Sequence, residues 1–276
     1  MEDFFSRSEA LLGTEAMQAL QSTRVILFGV GGVGSWCAEA LIRTGLVHLT
    51  IVDDDVVQPS NLNRQLPATR DTLGRPKVEA LRERLLSINP DADITALQAR
   101  YTADLSTLNS PTSFNFQLST FNYIIDAIDD VSAKTDLLLR ASRVKGAKVF
   151  SSMGAAFRLD PTQVRVAEFW DVKGDALARA LRERMKKAGL KPAKKIRCVY
   201  SLEPALQIPN HKSQISNLKF EIINHKSKIS NHKSEISNQK SEISNHKFEP
   251  LKGSLMPVTA VFGCTLAALV LNDLRK

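Results

Sequence analysis

Cysteine and histidine are scarce, and their placement narrows the chemistry. The chain has 3 cysteines in 276 residues, Cys37, Cys198 and Cys264, and no two of them form a Cys-x-x-Cys pair. That spacing offers neither a structural zinc site nor a disulfide framework, so the expectation is three reduced, mostly buried thiols. Of 5 histidines, His211, His225, His232 and His246 fall in one repetitive tract and only His48 lies elsewhere. Imidazole-based catalysis is therefore not expected. The only long apolar run, 255–271, contains Pro257, Gly263, Thr259 and Thr265. It is slightly short of the roughly 20 residues a bilayer span needs, which favours a buried or interfacial helix over a membrane anchor. No basic segment followed by an apolar run opens the sequence, so a signal peptide is not expected, and the expected location is the cytoplasm.

What is present fits a sizeable core. Hydrophobic residues make up 43% of the chain, and 37 Lys+Arg stand against 29 Asp+Glu, a formal charge of +8. A basic balance suits an acidic partner such as nucleic acid without specifying one. Strand-like apolar runs at 25–30, 48–53, 94–98, 123–128 and 148–152 alternate with helical patterns at 33–43, 78–88 and 131–145. This alternation predicts an α/β fold, Rossmann-like, with a mainly parallel sheet and helices on both faces. A strand at 163–169, a helix at 175–187 and a strand at 197–201 follow, the last placed to extend the same sheet.

From Asn210 a low-complexity heptad repeat begins: NHKSQIS, NLKFEII, NHKSKIS, NHKSEIS, NQKSEIS, NHKFEP. Ile215, Ile222, Ile229, Ile236 and Ile243 mark one seam position, but the position three residues on holds Leu218, His225, His232, Gln239 and His246. One isoleucine per heptad does not offset the entropy of ordering the chain, so a disordered or weakly helical insert is favoured over a stable coiled coil. The expected organisation is an adenylation-type domain over 1–206, the repeat insert over 207–249, and a helix within 250–276 packing back on the first domain.

The stretch ILFGVGGVGSW runs an apolar strand into Gly29-x-Gly31-x-x-Gly34 and then a helix. Such a turn lets backbone N–H groups and a helix N-terminus approach phosphates, and Asp53, at the end of the second strand, is placed to hold ribose hydroxyls. Alone, this pattern favours a nicotinamide or flavin enzyme. The residues that follow change the reading. Asp53-Asp54-Asp55 leads into Ser60-Asn-Leu-Asn-Arg-Gln65, and Lys77 opens the next helix. Cations at the carboxyl ends of parallel strands suit a polyphosphate, which hydride transfer does not need. The fourth strand ends in Asp126-Ala-Ile-Asp129-Asp130, where a carboxylate is placed to hold the Mg²⁺ that accompanies ATP. The plainer alternatives are surface charges at Arg64 and Lys77 and a helix cap at one of the aspartates.

Gly29-Val-Gly-Gly-Val-Gly34, Asp53-x-Asp55, Asn61-Leu-Asn-Arg-Gln65, Lys77 and Asp126-x-x-Asp129 together resemble the ThiF/MoeB/ubiquitin-activating-enzyme-like adenylating superfamily. Within it, Phe5-Ser-Arg-Ser-Glu-Ala-Leu-Leu-Gly13, Ser151-Ser-Met-Gly-Ala155, Leu159-Asp-Pro-Thr162 and Val199-Tyr-Ser-Leu-Glu-Pro204 are most similar to the tRNA threonylcarbamoyladenosine dehydratases. The missing zinc cysteines point the same way. The resemblance implies an ATP site formed by Gly29, Gly31, Gly32, Gly34, Asp53, Asp55, Ser60, Asn61, Asn63, Arg64, Lys77, Asp129 and Asp130. Gly32 would lie against the nucleotide and Asp129 would be the Mg²⁺ ligand. Arg64, Lys77 and Arg7 would assist catalysis, with Arg7 lent to the partner subunit of a homodimer.

The implied substrate is the N6-threonylcarbamoyladenosine of tRNA next to the anticodon, whose carboxylate would be adenylated and then closed into a ring. The densest basic segment, which includes Lys186, Lys187, Lys194 and Lys195, is the expected tRNA contact, although a solvated helix face reads the same way. One departure stands out: where the family has a glycine-rich stretch after Ser-Met-Gly-Ala, this sequence has Ala156-Phe157. Three competing readings remain. They are an adenylyltransferase that activates a ubiquitin-like or sulfur-carrier protein, with Cys198 as a thioester nucleophile, a nicotinamide-dependent oxidoreductase, and a scaffold assembled through its repeat.

Overall fold

The computed structural model describes residues 4–102, 117–206 and 253–275. Its centre is a seven-stranded sheet: β1 (Arg24–Phe28), β2 (His48–Val52), β3 (Asp93–Leu97), β4 (Tyr123–Asp126), β5 (Lys148–Ser152), β6 (Val164–Glu168) and β7 (Arg197–Ser201). The order is β3-β2-β1-β4-β5-β7-β6, all parallel except β6 against β7. Chain order reverses between β1 and β4. In open α/β sheets the crevice at such a switch point, outside the carboxyl ends of the strands, is where ligands bind.

The middle strands are continuous apolar runs because both faces are covered. In β1, Val25 and Leu27 point into one core cluster while Ile26 and Phe28 point into the other. The first cluster takes the apolar stripes of α2 (Thr14–Ser22), α3 (Gly34–Thr44), α4 (Lys77–Ile88) and α7 (Met256–Leu274), and the second those of α5 (Val131–Ala141) and α6 (Ala176–Lys187). The expected strands and helices all appear within a few residues of their sequence bounds. Two helices were not legible: α1 (Ser6–Leu12), which buries no residue, and the short α2.

The apolar run at 255–271 forms α7, a helix long and apolar enough to cross a membrane by length and composition alone. Val258, Phe262, Leu266, Ala267, Leu269 and Val270 are nevertheless buried in the core of this chain. Gly263 allows the packing: a Cβ there would lie 2.7 Å from Trp36 Cβ and 2.8 Å from Cys37 N on α3. The described residues before Leu206 and after Gly253 form one compact unit, and the heptad repeat lies outside the described residues.

Candidate active site

The carboxyl end of β1 turns sharply into α3. Gly29 adopts φ +86°, and a Cβ on it would meet Ala127 O at 2.7 Å; a Cβ on Gly34 would be driven into the carbonyl of Gly29. Both positions therefore require glycine. Gly29 N donates to Val52 O at 2.8 Å and Val30 N to Asp53 Oδ2 at 2.8 Å, which fixes the turn to the end of β2. Burial raises the Asp53 carboxyl above its ordinary range, partly opposed by the nearby Lys77 ammonium.

The segment 58–66 crosses in front of this turn. Ser35 Oγ donates to Gly31 O at 2.7 Å and accepts from Leu66 N at 3.2 Å, while Trp36 Nε1 donates to Arg64 O at 3.0 Å. These bonds bring Arg64 against the glycine turn: a Cβ on Gly32 would lie 3.3 Å from Arg64 Cδ and 3.3 Å from Thr259 Cγ2. The Arg64 guanidinium donates through Nη1 to Ser60 O at 2.8 Å and Asn63 Oδ1 at 2.9 Å. Asn63 in turn donates to Ser254 O at 2.8 Å. Asn61 is buried, and its Oδ1 accepts Gln58 N at 3.0 Å, so its carbonyl oxygen holds the loop.

Lys77 begins α4 with its side chain only 6% exposed, and its Nζ donates to Asp55 Oδ2 at 2.6 Å. Its backbone N–H also bonds Asp55 O at 3.0 Å. Asp55 thus holds the ammonium in place, close enough to Asp53 to act on its charge. The carboxylates of Asp53, Asp54 and Asp55 lie within 4.8 Å of one another, but Asp53 accepts the Val30 and Asp55 amides and Asp55 pairs with Lys77.

The loop after β4 separates the aspartates that the sequence grouped. Asp126 is fully buried, paired with Lys134 Nζ at 2.6 Å, and accepts Ser151 Oγ at 2.6 Å and Ile128 N at 3.1 Å. A carboxylate so enclosed does not ligate Mg²⁺, which removes Asp126 from the carboxylates of that segment that could. Asp130 is the N-cap of α5, accepting Ala133 N at 2.7 Å. Asp129 and Asp130 are both exposed beside the switch point. A hard oxygen donor such as the Asp129 carboxylate is of the type that suits Mg²⁺, which keeps most of its waters.

Lys134 is the site residue that sequence reasoning missed. Its side chain has no exposure, and its Nζ also donates to Ile128 O at 3.0 Å, so it props the loop that carries Asp129. The signal was available: a lysine on the apolar face of α5, among Ala133, Leu137 and Leu138.

The basic segment also divides. Lys186, Lys187 and Lys195 are exposed. Lys194, by contrast, donates its ammonium to Val144 O at 2.8 Å and to Ala147 O, and burial pulls its pKa down. It ties down the loop between α5 and β5, with its ammonium held by backbone carbonyls. Cys198 is fully buried on β7, where desolvation pushes the thiol up and removes it as a nucleophile. Arg7 lies exposed on α1.

A glycine turn, two cations and an acidic loop at the switch point are groups of the type that suit a polyphosphate. The model of the ThiF family matches residues 5–275. The chain belongs to the ThiF family. It is 36% identical over 204 residues to the tRNA threonylcarbamoyladenosine dehydratase of Bacillus subtilis, covering 74% of this chain and 76% of that one. To the Escherichia coli enzyme of the same name it is 37% identical over 182 residues, 66% of this chain and 65% of the relative. The crystal structure of that E. coli dehydratase, TcdA, in complex with ATP superposes with a TM-score of 0.73 at 29% identity, covering 98% of this chain and 93% of that one. As a ThiF family member this chain has the adenylating fold that the residue motifs implied, with the Rossmann-like sheet as its base.

Proposed function

We propose that this chain is an ATP-dependent tRNA threonylcarbamoyladenosine dehydratase. The observation that supports the reading is the glycine turn at Gly29–Gly34 with the Arg64 stem packed against Gly32 and Lys77 held by Asp55 at the end of the neighbouring strand, in a chain whose relatives of that name match it across most of its length. ATP lies with its phosphates along the turn, its ribose at Asp53 and its charge met by Arg64 and Lys77. Ser60, Asn61 and Asn63 hold the loop that presents Arg64. Mg²⁺ would be held by Asp129 and would neutralise phosphate charge.

The threonyl carboxylate of the modified base attacks the α-phosphorus of ATP and pyrophosphate leaves. The carbamoyl group then attacks the acyl-adenylate carbonyl, the ring closes, and AMP departs with one carboxylate oxygen. The net change in the base is loss of one water. The protein supplies position and charge, and no protein nucleophile takes part. The inertness of Cys198 favours this route over a thioester route to a sulfur-carrier protein.

The working form is a homodimer in the cytoplasm, with Arg7 donated to the partner's nucleotide. Incubation with Mg·ATP and tRNA bearing the modification tests the reading. Mass spectrometry of the nucleoside is expected to show a loss of about 18 Da, one water, from ring closure on the activated carboxylate. An unchanged mass with active protein rejects it.

The tRNA-facing surface is Lys186, Lys187 and Lys195. Reversing these three charges is expected to weaken tRNA binding and to reduce the slope of log affinity against log salt by about 2–3. A Lys194→Gln variant is expected to leave that slope unchanged and to lower thermal stability. A slope insensitive to the triple reversal removes these residues from the interface.

A further inference from the structure

Arg158 sits on the loop that leaves β5, with its side chain 3% exposed. Two of its donors, Nε and Nη1, have no hydrogen-bond partner. Its Nη2 lies 3.8 Å from Asp175 Oδ2, beyond hydrogen-bond reach. Asp175 is already engaged, since Oδ1 accepts Ala178 N at 2.8 Å and Oδ2 accepts Gly154 N at 3.0 Å. The neighbouring Glu203 accepts Leu159 N and Asp160 N at 3.0 Å. A guanidinium does not deprotonate, and leaving its donors buried and unmade is expensive, so its retention calls for an anion during function.

The backbone points to the same loop. Phe157 is the one described non-glycine residue with positive φ, at +60°. A bulky side chain is rare in that conformation, and strain of this kind gathers at ligand sites. This turn immediately precedes the buried side chain of Arg158.

Register places the loop on the reacting edge. Asp126 is in register with Ser151 on one side and with Phe28 on the other. The chain therefore leaves β5 at the level where the glycine turn leaves β1 and the Asp129 loop leaves β4. An acyl group reaching ATP held at the switch point would pass beside this loop.

We propose that Arg158 receives the carboxylate of the acyl substrate, a deepening that rests on the dehydratase reading above. A carboxylate taking Nη2 together with Nε or Nη1 completes a forked pair with one bond to each oxygen, which fixes the group's orientation and leaves a further lone pair on the outer oxygen for the α-phosphorus. Asp175 offsets part of the charge, so the site suits a singly charged carboxylate better than a phosphate.

The test compares an anticodon stem-loop RNA bearing the modified nucleoside as free acid with the same RNA as methyl ester, by competition binding to the full chain. Wild type is expected to bind the acid at least about tenfold more tightly than the ester, as one charge-assisted forked pair permits. Arg158→Met is expected to bind both RNAs at the ester level with ATP affinity unchanged, and Arg158→Lys to recover part of the preference. Should Arg158→Met not fold, Arg158→Gln replaces it in the same comparison. Equal wild-type affinity for acid and ester, or a preference kept by the variant, overturns the assignment while leaving the dehydratase reading standing. Wild type that removes no water from tRNA overturns that reading and this assignment with it.

Discussion

Replacing Lys134 by methionine is expected to lower the unfolding free energy by about 3–5 kcal/mol, the range for breaking a buried ion pair from one side. Asp126 has no exposure, and its remaining partners are the Ser151 hydroxyl and the Ile128 amide. Methionine fills the space but leaves a carboxylate enclosed in the core between β4 and α5. The same change removes the donor to Ile128 O, so the loop carrying Asp129 loosens in whatever protein still folds. Denaturant unfolding reads the first effect and ATP affinity the second. A double variant, Asp126→Asn with Lys134→Met, is expected to regain much of the stability, because both charges are then gone. A single variant within about 1 kcal/mol of wild type is far below the range for a broken buried pair and defeats this account.

Lys77→Ala is expected to act the other way round, sparing the fold and stopping the chemistry. Lys77 is enclosed, but its partner Asp55 is 65% exposed and regains water when the ammonium goes. Loss of a cation aimed at phosphate charge that shifts during reaction lowers turnover by about 10²–10³-fold, the range for one preorganised electrostatic donor. Pyrophosphate release or the loss of water from the nucleoside measures it, beside a thermal unfolding curve that moves little. Lys77→Arg is not expected to restore activity, since a planar guanidinium does not fit the 6% exposed slot that holds a compact ammonium. Turnover within threefold of wild type in the alanine variant would remove Lys77 from the site.

The order of strands and helices was legible because a sheet covered on both faces writes itself as apolar runs alternating with helical stripes. The glycine turn was legible for a steric reason, as Gly29 and Gly34 leave no room for a Cβ. The helices α1 and α2 were not, because α1 buries nothing and leaves no apolar stripe to find. Lys134 was overlooked and the anchoring of Lys194 went unread for one shared reason: a charged side chain in sequence reads as surface. Each is instead drawn inward by acceptors from other elements, Lys134 by Asp126 and Ile128 and Lys194 by Val144 and Ala147. Arg158 escaped notice likewise, since nothing local says that a strained turn at Phe157 will precede a buried guanidinium.

By itself the sequence determined what local chemistry can dictate: the strand and helix periods, the glycines of the turn, and the residue types that suit a polyphosphate. Only tertiary structure decided which charged groups are available for that work. Asp126 and Asp129 stand three residues apart, yet β5 and α5 enclose the first while the second stays exposed on the loop. The physical reason is that a carboxylate's role depends on which donors surround it, and those donors arrive from strands and helices far away in the chain.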